Sequence, residues 1–123
     1  MFLVVTVLFF LGMLSAVEIF GKSSQGEAAA AGKKVAVTEV EYKIQLPQTT
    51  FAPGEYIFEV ENKGTIPHNL TITGPGISKE ATQDISAGSS GSVTVKLARG
   101  TYDFYCSIPG HKQQGMDQKV TVS

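Results

Sequence analysis

The 123-residue chain has one cysteine, two histidines and no tryptophan. One cysteine cannot close an internal disulfide, and two histidines cannot supply a multi-histidine metal cluster. Neither sign of charge is in excess: ten Lys or Arg face eleven Asp or Glu, for a formal net charge of −1. A polynucleotide needs a clustered basic surface, so nucleic acid is not an expected partner. Internal repeats and long helical periods are also missing from residue 35 onward, which argues against solenoids and helical bundles.

The apolar residues are concentrated at the start. Residues 1–17 carry no charge, and four of the seven Phe (Phe2, Phe9, Phe10, Phe20) lie in the first twenty positions. A helix over residues 1–20 would be about 30 Å long, close to the hydrocarbon thickness of a bilayer. The expected role of residues 1–20 is therefore an N-terminal membrane anchor. A cleaved signal peptide is the alternative, set against it by the absence of Lys or Arg before the apolar run and by distant small-residue sites at Ala28 to Ala31. Residues 21–34 are small and polar and read as a flexible linker. The folded domain is expected over residues 35–123.

From Val35 the period is two. Tyr56, Phe58 and Val60 alternate with Glu55, Glu59 and Glu61, although Ile57 interrupts the polar side. The same parity recurs in Leu70 and Ile72, in Val93, Val95 and Leu97, in Tyr102 and Phe104, and in Val120 and Val122. Turn residues such as Ala52-Pro53-Gly54, Asn62-Lys63-Gly64 and Gly74-Pro75-Gly76 separate the runs, which predicts an antiparallel all-β sandwich or barrel. The apolar parity changes between Val37 and Val40, so a bulge or sheet switch is expected near Thr38 and Glu39. Residues 77–83 could hold one helical turn.

The chemistry-bearing segment is Cys106-Ser-Ile-Pro-Gly-His111-Lys-Gln-Gln-Gly-Met116, with His68-Asn69 upstream. A thiol, two imidazoles and a thioether form a donor set of mixed softness: thiolate suits Cu(I), imidazole suits Cu(II), and Cys plus two His with a weak axial Met is an electron-transfer copper pattern. Strand parity turns His68, Cys106 and Met116 toward the core and lets them converge at one end of a sandwich. His111 is expected in the loop between Cys106 and Met116, braced by Pro109, Gly110 and Gly115. Singly, each of these residues is as readily a packing residue. Together, the only Cys, both His and the only Met beyond the apolar head stand in linked positions. No nucleophile with an acid partner accompanies either His, so no enzyme activity is expected.

The motif Cys-x4-His-x4-Met with an upstream His-Asn resembles the cupredoxin family of blue copper proteins, of the auracyanin and plastocyanin kind, over residues 35–123. Plastocyanins and amicyanins have two residues between Cys and His where this chain has four, and azurins have three between His and Met. The resemblance implies a Greek-key β-sandwich and one type 1 copper ion. It also implies His68, Cys106 and His111 as equatorial ligands, Met116 as the axial ligand, and Asn69 as a brace for the loop beside the thiolate. The dinuclear centre of cytochrome oxidase subunit II is excluded because Gly110 stands where a second cysteine would be needed.

The function expected is single-electron transfer, with no small-molecule substrate. Its partners would be redox proteins, membrane-bound donor and acceptor complexes such as a quinol-oxidising complex, a terminal oxidase or a reaction centre. Copper storage or delivery in the periplasm is the alternative, although only Met116 is available in the domain for exchange. The edge of His111, beside Ile66, Pro67, Ile108 and Pro109, is the expected electron route. Lys22, Lys33 and Lys34 after the apolar run would favour the cytoplasmic side. Copper chemistry favours the extracytoplasmic, periplasmic face, either membrane-anchored or secreted after cleavage, and that placement is the expectation.

Overall fold

A computed structural model describes residues 32–123, and the expected helix over residues 1–20 lies outside them. Among the described residues no helix is long and apolar enough to cross a membrane. The elements are β1 (Lys33–Val40), β2 (Lys43–Gln45), β3 (Thr50–Phe51), β4 (Gly54–Asn62), β5 (Thr71–Gly74), β6 (Ile77–Ala81), β7 (Ser90–Leu97), β8 (Gly100–Tyr105), one helical turn α1 (His111–Gln114) and β9 (Asp117–Val122). They form a four-stranded sheet in the order β2-β1-β4-β7 and a five-stranded sheet in the order β3-β9-β8-β5-β6.

Alternation builds the core. On β4, Tyr56, Phe58 and Val60 are buried while Glu55, Glu59 and Glu61 are exposed, and β7 answers with buried Val93 and Val95 opposite Phe58 and Tyr56. From the second sheet come Ile72, Tyr102, Phe104, Val120 and Val122, all buried in the same cluster. Phe58 and Phe104 meet edge to face across the two sheets, 5.0 Å between centroids and 87° between planes, a favoured aromatic geometry. Tyr102, at the end away from β8's last residue, receives the Ala98 N–H at 2.9 Å on its hydroxyl. That hydroxyl faces the Pro75 carbonyl at 2.9 Å, so a large ring is buried without an orphaned polar atom.

Three expectations are corrected. The sheets are mixed and not purely antiparallel, because β1 runs parallel to β4 and β3 parallel to β9. Residues 77–81 form strand β6, not a helical turn, paired to β5 at the sheet edge with four of its five residues exposed; an edge strand lying open on both faces shows no alternation. The parity change comes from a hairpin and not from a bulge or sheet switch at Thr38 and Glu39. The inward row of β1 continues through Val37 to a fully buried Glu39. The chain then reverses at Glu41 and Tyr42, and β2 returns with Ile44 opposite Glu39.

Candidate metal centre

The residues singled out in the sequence come from three places in the fold. His68 lies between β4 and β5, where its N–H donates to the Ile85 carbonyl at 3.1 Å and its carbonyl accepts from the Ile85 N–H at 2.7 Å. Cys106 follows β8 directly, and its N–H donates to the Met116 carbonyl at 3.1 Å. His111 opens α1, a single helical turn within the connection between Cys106 and Met116: Gly110 at φ 87° turns the chain into it and Gly115 at φ 129° turns it out. Both conformations are disfavoured for residues with a Cβ. The Met116 N–H donates to the His111 carbonyl at 3.2 Å. The main chain of Met116 therefore ties together the two residues before it in the motif.

His68, Cys106 and His111 each turn one donor atom to a common point, and those atoms all lie within 4.8 Å of one another. His68 Nδ1 and His111 Nδ1 are 3.2 Å apart, and Cys106 Sγ is 3.5 Å from His111 Nδ1. His68, Cys106 and Met116 are fully buried, and His111 is 8% exposed. One thiol and two imidazoles packed this closely in the interior, with no carboxylate among them, suit one small ion that accepts both sulfur and nitrogen, which is the preference of copper.

Asn69 braces the surroundings. Its N–H donates to Cys106 Sγ at 3.4 Å. Its side-chain oxygen accepts from the Ser107 N–H at 2.9 Å and from the Thr71 hydroxyl at 3.0 Å, and its amide nitrogen donates to Asp84 Oδ1 and Ser107 Oγ, each at 2.9 Å. The residue after one donor thus holds the residue after another. Tyr42 sets its ring against His111, 5.2 Å between centroids at 72°.

The electrostatics follow burial. Burial pushes the Cys106 thiol up, against the lowering influence of the Asn69 and Ile108 N–H groups. Burial and then the neighbouring His68 push His111 down, which keeps its imidazole neutral and free to donate a lone pair. Glu41 is lowered to about 2, first by the Thr65 hydroxyl and then by His68, whose Nε2 lies 2.7 Å from Glu41 Oε1. Glu39 is raised to about 8 by burial alone and has no hydrogen-bond partner for either oxygen among the described residues.

Sequence reasoning did not find Glu41, Thr65, Gly64 or the buried Glu39. Glu41 and His68 are 27 residues apart, with no spacing motif to join them. Glu39 was hidden because a charge in an alternating row reads as the solvent side.

Comparisons with known proteins agree with this geometry. The family model for copper binding proteins of the plastocyanin/azurin family matches residues 29–123. No curated protein matches the chain. Among solved structures, dithionite-reduced auracyanin from the photosynthetic bacterium Roseiflexus castenholzii is 22% identical with a TM-score of 0.62, covering 76% of this chain and 98% of its own. Auracyanin A, a blue copper protein from Chloroflexus aurantiacus, is 17% identical with a TM-score of 0.61, over 73% of this chain and 98% of its own. A reduced Cu(I) amicyanin variant is 22% identical with a TM-score of 0.55, over 78% of this chain and 88% of its own. At such identities these likenesses speak for the fold, while the family model reaches from the start of β1 through the last strand and takes in every donor of the buried cluster. This chain belongs to the plastocyanin/azurin family of copper-binding proteins, the cupredoxins.

Proposed function

We propose that the chain is a one-electron carrier and not an enzyme, with copper held by His68, Cys106 and His111 and with Met116 as the weak axial ligand. The observation that carries this reading is the buried convergence of one thiol and two imidazoles within 4.8 Å. Bound there, copper supplies a single-electron couple between Cu(I) and Cu(II). The protein's contribution is rigidity. β8 and β9 pair over their full length, the Asn69 network pins the two loops together, and α1 fixes His111 between two glycines. Side chains held in this way have little freedom to rearrange when charge changes, which suits fast electron exchange. Deep burial of the donors also speaks against copper delivery, which needs them accessible for transfer.

His111 is the donor nearest solvent. Pro67 and Pro109, each within two residues of a donor histidine in the chain, are exposed, and Ile66 and Ile108 are half-buried. A small apolar rim of this kind favours brief docking with redox proteins, because weak encounter surfaces release their partners quickly. We assign the partners to membrane-bound donor and acceptor complexes, with residues 1–20 as the anchor, residues 21–32 as the tether and the domain on the extracytoplasmic face. The linker expected over residues 21–34 is shorter by two, because Lys33 and Lys34 already belong to β1 and pair with Tyr56 and Ile57. Protease shaving of intact cells that leaves the domain untouched would count against that placement. The central test is spectroscopic and electrochemical. Copper-loaded protein should show an intense visible absorption and a reversible one-electron couple, and Cys106→Ser should abolish both. Survival of either in the variant would overturn the assignment.

A further inference from the structure

The turn after β4 is built to hold one carboxylate against a histidine. Glu41, at the tip of the β1–β2 hairpin, accepts the Thr65 N–H on both oxygens, at 3.1 and 3.0 Å, and the Thr65 hydroxyl on Oε2 at 2.7 Å. Its Oε1 lies 2.7 Å from His68 Nε2. The turn itself is fastened: the Gly64 N–H donates to Asn62 Oδ1 at 2.8 Å, and Asn62 Nδ2 donates to the Ile66 and Ile85 carbonyls at 2.9 and 2.8 Å. Gly64 is needed for space alone, since its φ is not in the left-handed region. A Cβ there would overlap Glu41 Oε1 and stand 3.0 Å from His68 Nε2. Only a residue without a side chain lets the carboxylate reach the ring.

The other nitrogen of the same ring, Nδ1, faces the donor cluster, 3.2 Å from His111 Nδ1. A neutral imidazole carries one N–H and one lone pair. A carboxylate acceptor at Nε2 takes the N–H and leaves the lone pair on Nδ1, and it makes the ring a stronger electron-pair donor to a metal, as carboxylates behind metal-bound histidines do. A stronger donor with negative charge behind it favours the more highly charged oxidised ion.

We propose that Glu41 is a positioning residue of the copper centre: admitted by Gly64 and held by Thr65, its carboxylate fixes the tautomer of His68 and lowers the reduction potential. This rests on the copper reading above. Two variants separate charge from shape. Glu41→Gln keeps an acceptor oxygen and loses the charge; Gly64→Ala keeps the charge and pushes the carboxylate off the ring. Each should cost about 10–100-fold in Cu(II) affinity, with a smaller loss for Cu(I). Every tenfold difference between those two losses raises the potential by about 59 mV. In copper-free protein, nitrogen-detected NMR should show His68 as the Nε2–H tautomer in the wild type and a mixture in Gly64→Ala. Wild-type protein that binds copper with its visible band, alongside two variants with unchanged potentials, would overturn the tuning role. Variants that melt earlier without moving the potential would show a merely structural part and overturn it equally. Absence of the band from the wild type would overturn the copper reading and the tuning with it, whereas the tautomer in copper-free protein would still decide the positioning.

Discussion

Glu39 sets a pH dependence that one substitution should remove. The side chain is fully buried on the inward row of β1, both oxygens lack partners among the described residues, and burial raises it from an ordinary 4.5 to about 8. It is therefore a neutral acid in the folded chain at neutral pH and an anion in the unfolded one. Because the folded state binds the extra proton, its contribution to stability is fully present below pH 4.5 and is lost as the pH rises toward 8. One pKa unit is worth roughly 1.4 kcal/mol, so the loss is about 3 kcal/mol at pH 7 and saturates near about 5 kcal/mol above pH 8. Glu39→Gln keeps the volume and cannot ionise. Urea denaturation of copper-free wild type and variant, measured between pH 4.5 and 8.5, should give curves that nearly coincide at the acid end. They should separate in favour of the variant by several kcal/mol at the alkaline end, with similar denaturant slopes. The difference between the two proteins cancels the titrations they share. Parallel stability profiles across that range would refute the reasoning.

Met116→Gln should leave copper bound and lower the reduction potential in voltammetry, because a harder axial oxygen favours the oxidised ion; an unchanged potential would show that Met116 is not axial. Asn69→Ala removes the side-chain bonds to Thr71, Asp84 and Ser107 and should cost about 2 kcal/mol in chemical denaturation. A variant as stable as the wild type would mean that the brace is redundant.

The strands that were legible in the sequence are those with one wet face and one dry face. β4, β7, β8 and β9 each show a period of two because the sandwich buries every second residue. β6 was not legible because it is exposed on both faces, and the hairpin at Glu41 and Tyr42 carries no Gly, Pro, Asn or Asp to announce it. Parallel pairing of β1 with β4 depends on contacts across some twenty residues of chain, which local pattern does not encode. The donor cluster was legible for a different reason. Cys and His are so scarce in this chain that their spacing stood out, and two of the three clustered donors, Cys106 and His111, lie within one short segment. Glu41 and Gly64 are common residue types joined to the site only by the folded turn, so nothing in their spacing distinguishes them.

The parallel pairing has a consequence for how the domain can be held. Lys33 lies beside Tyr56 at the start of β4, and Glu39 lies beside Asn62 at its end, next to the turn that carries His68. From Lys33 to Glu39 β1 runs for seven of its residues, roughly 20 Å of extended chain. The domain is therefore polar in the geometric sense: the chain enters at one pole and the histidines stand at the other. A synthetic surface coupled at Gly32 would grip the pole that has no donors and would leave the histidine pole free.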